Sequence, residues 1–294
     1  MALLDVLTQV TTIVGLSLVI SLVMIVGLDR LPRTRQQLVT RVRIVFPYLV
    51  FLGVALGISS VVRSIGPDIS WIIDIQLSPY ILKFEGDFVA WLQTFQTPVA
   101  TKYFSAIYVY GYGYLLVFPI IAYALAERLK PLRLLVLAYI LNYVIGLVFY
   151  IVFVSYGPRN YSIGEGLLYA FWPQAKFLTS EVNVNTNVFP SLHTSLSVTV
   201  AILAVMTRDI YRRWVPIAIP LAISVCISTM YLGIHWAADV IAGTFLAVVS
   251  VYGGLRLDGY FERGVAASRV RWGAFVQRAK EWWQSYKQGT ESST

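Results

Sequence analysis

Apolar residues in this chain come in unbroken blocks of about 20, and that pattern limits its fold more than any motif does. About 20 residues of α-helix cross ~30 Å of hydrocarbon, where a helix can satisfy all of its own backbone groups. Seven candidate spans run at about 8 to 28, 43 to 62, 104 to 125, 133 to 155, 191 to 207, 214 to 232 and 236 to 255. With 57% hydrophobic and 13% charged residues, the expected fold class is all-α, a polytopic transmembrane helix bundle of six to seven spans. Only Asp5 precedes the first block, with no basic n-region and no small-residue cleavage site, so this block reads as a retained span. A single cysteine, Cys226, lies inside a span and has no partner for an intrachain disulfide.

The net charge of +8 would suit a nucleic-acid binder if the basic residues shared one surface, but they sort by membrane side. Of 23 Lys and Arg, only Arg63, Lys83, Lys102, Arg159 and Lys176 fall in the loops after even-numbered spans. The positive-inside rule therefore places the C-terminal tail in the cytoplasm and the N-terminus outside, and no nucleic-acid partner is expected. The loops at 63–103 and 156–190, and the junction near 233–236, then face outward.

Two further segments show helical periodicity. Phe84, Phe88, Trp91, Leu92 and Phe95 fall at one-face spacing, which predicts an outer helix lying along the membrane or capping the bundle. In the tail, Trp272, Phe275, Val276, Ala279, Trp282, Trp283 and Tyr286 alternate with Arg271, Arg278, Lys280 and Lys287, which predicts an amphipathic in-plane anchor on the anionic inner leaflet. No internal repeat or second folded unit is evident.

Against this apolar background the chain has two histidines, His193 and His235, and the topology puts both at outer ends of spans. Ionisable residues at membrane depth are costly and are kept mainly for sites or mutual pairing. Asp239 follows His235 by four residues, on the same helix face. Its carboxylate can accept the imidazole N–H, fix the tautomer and make the opposite nitrogen more basic, as a nucleophile requires. His193 follows Pro190 and Ser191 at the start of its own helix, where free N–H groups favour a phosphate oxygen and His193 can act as general acid. Arg159, directly after the fourth span, adds a planar cation on the same face.

PSLH at 190–193, a Pro-Arg pair at 158–159 and S-T-x5-H-x3-D at 228–239 together resemble the type 2 phosphatidic acid phosphatase superfamily, which includes the vanadium haloperoxidases. The resemblance covers roughly 133–255. Against the family signatures K-x6-R-P, P-S-G-H and S-R-x5-H-x3-D, Val152 stands in the place of the lysine, Asn160 follows the arginine, Leu192 replaces the glycine and Thr229 the second arginine. Two phosphate-clamping cations are thus absent, and the PSLH form looks like the inositol phosphorylceramide synthase branch, whose members transfer a phospho-headgroup between lipids.

The resemblance implies that His235 attacks phosphorus to form a phosphohistidine, Asp239 orients it and His193 protonates the leaving alkoxide. It further implies that Arg159, Ser191 and Leu192 bind substrate, with Lys176 or the polar run EVNVNTN at 181–187 supplying missing contacts. No cofactor or metal is expected. The partners expected are a lipid phosphate in the bilayer and an alcohol or inositol-type acceptor. The chain then divides into N-terminal spans with an outer interfacial loop (1–103), a phosphatase-like catalytic bundle (104–256) and a cytoplasmic tail (257–294). Two rivals are a metal site built from His193, His235 and Asp239, and a transporter; for the latter, mid-span polarity offers little beyond Asn142.

Overall fold

Apolar blocks destined for hydrocarbon must close their backbone hydrogen bonds internally, and here nearly all become helices. The computed structural model describes residues 3–31, 35–161, 163–172 and 188–291. In chain order the α-helices are α1 (Leu3–Ser21), α2 (Arg35–Ile73), α3 (Ser78–Glu85), α4 (Phe88–Gln93), α5 (Pro98–Ala106), α6 (Tyr112–Leu125), α7 (Lys130–Val152), α8 (Leu167–Phe171), α9 (Leu192–Met206), α10 (Val215–Tyr231) and α11 (Ala237–Glu291). A wide i→i+5 turn at Ile107–Gly111 joins α5 to α6. The described sheet is one parallel pair, β1 (Ile75–Gln76) with β2 (Phe153–Val154), in the register Ile75↔Phe153.

Among the described residues, six helical segments are long and apolar enough to cross a membrane: Leu4–Val26, Gln36–Gly66, Pro98–Leu125, Lys130–Val152, Arg212–Tyr231 and Ala237–Ser268. The seventh expected block is α9, whose 15 residues reach only about 22 Å at ~1.5 Å per residue, short of ~30 Å of hydrocarbon. Its length is set at both ends. Ser191 caps the N-terminus by accepting the Thr194 N–H, and at the other end the Thr207 hydroxyl turns back to the Leu203 carbonyl.

Helix α7 packs on α2 and α11, while α9 is held among α7, α10 and α11. Between them lie Leu115, Phe118, Leu132, Leu135, Leu196, Leu203 and Trp214, all essentially without exposure. The Phe118 and Trp214 rings meet at 4.5 Å. Several polar groups inside are paired across helices. Tyr123 and Thr207 share a hydrogen bond of 2.7 Å, and the Arg133 fork on α7 grips Asp258 of α11 at 2.7 and 3.2 Å and Glu262 at 2.9 Å. Asn142 donates to the Ala138 carbonyl and to Thr199 on α9, so it ties α7 to α9 inside the core. Leu16, Val19, Ile20, Val54, Ile58, Val61, Phe245 and Val248 form an exposed apolar belt, as lipid-facing surfaces do.

Three local expectations change. The second apolar block runs eleven residues past its expected end at 62, because α2 continues through Gly66 and Pro67 to Ile73, so Arg63 sits well inside a helix. The outer aromatic segment is two short helices, because the chain turns at Gly86 with φ of +58°, a conformation that glycine accepts readily. Phe84, Phe88, Trp91 and Phe95 remain exposed, the last three in successive tilted and edge-on ring contacts, while Val89 and Gln93 turn inward. The tail continues α11 without interruption to Glu291, so it extends the last span where an in-plane anchor would need a bend.

Candidate active site

The site forms where the N-terminus of α9, the α10–α11 junction and the turn after β2 converge. Thr229, in the place of the absent signature arginine, is fully buried, and its carbonyl accepts the N–H groups of both Ile234 and His235 at 3.0 Å. That double capture ends α10 and aims His235 inward. Gly233, at φ +71°, makes the turn possible; a Cβ there would lie 2.4 Å from the Glu165 carbonyl.

His235 is 4% exposed, and its Nδ1 lies 3.2 Å from Asp239 Oδ2. The same oxygen accepts the Trp236 backbone N–H at 2.9 Å, so one carboxylate oxygen both caps α11 and orients the ring. Burial first, and then the Arg159 cation, lower the His235 pKa to about 3, with the Val188 carbonyl opposing them. The imidazole is therefore neutral near pH 7, with the nitrogen opposite Nδ1 carrying the lone pair.

His193 stands across from it, with ring centroids 6.2 Å apart. Its ring is held between Tyr108 at 4.6 Å, stacked, and Tyr112 at 4.4 Å. Tyr108 lies within the wide turn at Ile107–Gly111 and Tyr112 directly after it, the kind of helix irregularity often found at functional sites. Backbone contact ties the two halves together. Ser191 N–H donates to the Asp239 carbonyl at 3.1 Å, and Gly243 of α11 sits so close that an added Cβ would be 2.5 Å from the Ser191 carbonyl.

Arg159 lies in a tight turn, Pro158–Tyr161, with its N–H on the Gly233 carbonyl at 3.3 Å and its guanidinium 5.2 Å from the centre of the Tyr169 ring. Ser191 is wholly buried and serves as helix cap, while Leu192 packs with Tyr150 and Leu246 against Gly146, on the core side of the motif. Just ahead of the first turn of α9, the Tyr150 hydroxyl donates to the Pro190 carbonyl at 3.1 Å. Lys176 and the run at 181–187 lie outside the described residues. Of the expected residues, the structure thus brings His193, His235, Asp239 and Arg159 together and gives Ser191 and Leu192 supporting positions.

Two residues invisible as site residues in the sequence hold this assembly from the outer segments. The Glu85 carboxylate of α3 accepts the Ala237 and Ala238 N–H groups at 2.9 and 3.0 Å, closing the N-terminus of α11. Gln93 of α4 donates to the carbonyls of Glu165 and Tyr231, both at 2.9 Å, and accepts the Glu165 N–H at 2.7 Å. Separations of 72 to 153 residues explain why no local pattern announces them.

A family model described as the PAP2 superfamily matches residues 81–253. The chain belongs to this superfamily. No curated protein and no solved structure matches it. Membership of the PAP2 superfamily supports a phosphatase- or phosphotransferase-type activity. The match begins at Ile81, so it takes in Glu85 and Gln93 and is wider than the motif resemblance over 133–255.

Proposed function

We propose that this protein is a membrane-embedded lipid phosphatase or phosphotransferase that acts on a phospholipid or an isoprenoid mono- or diphosphate through a phosphohistidine on His235. The observation that carries this reading is the facing pair: His235 held by Asp239 at 3.2 Å, and His193 across a 6.2 Å gap between ring centres. A phosphoryl group is of the size to sit between them. His235 Nε2 attacks phosphorus, the bond to the leaving oxygen breaks, and His193, protonated by the acidic hydroxyl of the entering phosphate, gives that oxygen its proton. Asp239 accepts the Nδ1–H and offsets the positive charge that grows on the ring. Arg159 faces the developing oxyanion charge, where a fixed cation acts most strongly. In the second half, His193 takes a proton from water or an alcohol, the new P–O bond forms and the N–P bond breaks.

Headgroup transfer to an alcohol or inositol-type acceptor is the favoured second half, because Val152, Leu192 and Thr229 depart from the phosphatase signatures as in the inositol phosphorylceramide synthase branch. The reaction needs no metal in this reading: Asp239 Oδ2 and His235 Nδ1 are engaged with each other, which leaves them poorly placed as joint ligands. The basic connectors support a cytoplasmic tail, with the histidines at the extracytoplasmic face of the cell membrane. Because α9 is shorter than the hydrocarbon layer, His193 is recessed, which suits a headgroup drawn in from the outer leaflet.

The test is purified full-length protein offered phosphatidic acid, phosphatidylinositol and farnesyl mono- and diphosphate, with and without inositol and diacylglycerol, in the presence and absence of EDTA. Turnover that survives EDTA and is lost in His235→Ala is expected. Unchanged turnover in both His235→Ala and His193→Ala would overturn the mechanism, and free phosphate against transferred headgroup separates the two second halves.

A further inference from the structure

The site has a second cation that comes from outside the family match. Arg63 lies on α2, inside the apolar segment Gln36–Gly66 and before residue 81, where the match begins. Among the described residues no carboxylate pairs with it. Its described partners are the Ser59 hydroxyl at 3.5 Å, one turn back, and the face of Tyr143, whose ring centre is 5.9 Å away. Both are weak: one is at the limit of a hydrogen bond, the other at the limit of a cation–π contact. A guanidinium carries five N–H donors in a planar fork, and at membrane depth such a group is retained where something anionic answers it.

The position of Arg63 says which end of the substrate that anion belongs to. Tyr143 packs on the cluster that holds Leu192, the neighbour of His193, and Tyr150 in the same cluster bonds the Pro190 carbonyl. Arg63 thus approaches from the His193 side, through Tyr143 and the Leu192 cluster, whereas Arg159 is tied to the Gly233 carbonyl, two residues before His235. One cation therefore serves each histidine. His235 marks the phosphorus under attack and His193 marks the leaving oxygen, so a cation beside His193 faces the leaving group.

We propose that Arg63 binds a phosphate in the leaving group, and so makes this site select lipid diphosphates over lipid monophosphates. This rests on the two-histidine reading above. In the reaction, the His235 N–P bond forms to the terminal phosphorus, the anhydride P–O bond breaks, and the lipid monophosphate departs with a proton from His193 and its charge held by Arg63. The phosphoryl group then passes to water or an alcohol, whose proton returns to His193.

Full-length protein in detergent is assayed with farnesyl diphosphate and farnesyl monophosphate as wild type, Arg63→Gln, Arg63→Lys and His235→Ala, and its thermal unfolding is followed with inorganic pyrophosphate or phosphate added. Arg63→Gln is expected to lower kcat/KM for the diphosphate roughly 10- to 100-fold, mostly through KM, and to leave the monophosphate unchanged. It should also shrink the stabilisation by pyrophosphate but not that by phosphate, with Arg63→Lys intermediate. Equal loss on both substrates, or none, together with an unaltered pyrophosphate response, overturns the proposal. If Arg63→Gln unfolds without ligand, the same comparison in Arg63→Lys decides. Activity retained in His235→Ala would instead overturn the two-histidine reading, while a pyrophosphate response that depends on Arg63 would still stand.

Discussion

Replacing Asp239 with asparagine separates the two jobs of one carboxylate oxygen. Oδ2 accepts from the Trp236 N–H at 2.9 Å and faces His235 Nδ1 at 3.2 Å. In Asp239→Asn, the amide oxygen can take the Oδ2 place and keep both bonds, whereas an NH2 group there would confront the Trp236 donor. The Trp236 N–H therefore selects the oxygen-inward rotamer and preserves the His235 tautomer. What is lost is the charge. A charged hydrogen bond contributes about 1.5–3 kcal/mol against about 0.5–1.5 for a neutral one, a difference of about 1–2 kcal/mol. At about 1.4 kcal/mol per decade this predicts a fall in kcat of roughly 5- to 30-fold. Asp239→Ala removes both bonds and frees the ring, and its loss should approach the ~10⁴ known where a catalytic histidine is held in the wrong tautomer. The assay is initial-rate turnover of the best lipid phosphate in mixed micelles, with circular dichroism to check folding. A wild-type rate in Asp239→Asn would remove the carboxylate charge from the account. A loss as deep as in Asp239→Ala would show that Trp236 does not protect the tautomer.

Other perturbations test neighbouring parts of the same site. The His235 pKa of about 3 places the acid limb of kcat/KM, measured with a phosphodiester, below pH 5; a limb near the ordinary 6.5 would contradict the burial argument. The sign follows from protonation removing the attacking lone pair, and because the folded state resists that proton, stability also declines as pH falls below ~6.5. Glu85→Ala strips the acceptors from the Ala237 and Ala238 N–H groups and should cost about 1–2 kcal/mol, read as a fall of roughly 2–8 °C in Tm, with Glu85→Gln milder. Gly243→Ala puts a Cβ 2.5 Å from the Ser191 carbonyl, forcing α9 from α11. An ångström of misplacement between His193 and His235 predicts about a 10²-fold loss of kcat with a folded protein, and unchanged kcat would show that the close approach is dispensable.

The spans were legible because hydrocarbon imposes length and apolarity on consecutive residues, and His235 with Asp239 was legible because a helix brings i and i+4 together. The end of α2 was not: Gly66, Pro67 and Asp68 resemble a loop, yet the helix continues, and Arg63 thereby changes from a loop charge to a half-buried residue within a long helix. The break at Gly86 was hidden because Phe84 and Phe88 keep helical spacing across it. Tyr108 and Tyr112, which hold His193, read as one more aromatic stretch until the wide turn that contains Tyr108 and ends before Tyr112 is seen. Glu85 and Gln93 act through backbone groups far away in sequence, and a backbone partner leaves no trace in residue type.

The central claim, that His235 becomes covalently phosphorylated, is tested most directly by rapid quench at high pH with a ³²P-labelled lipid substrate, followed by peptide mapping. The account predicts an acid-labile, base-stable label on the peptide containing His235, absent in His235→Ala and chased by the acceptor at the rate of turnover. Label on another residue, or full turnover with no labelled protein at any quench time, would contradict it.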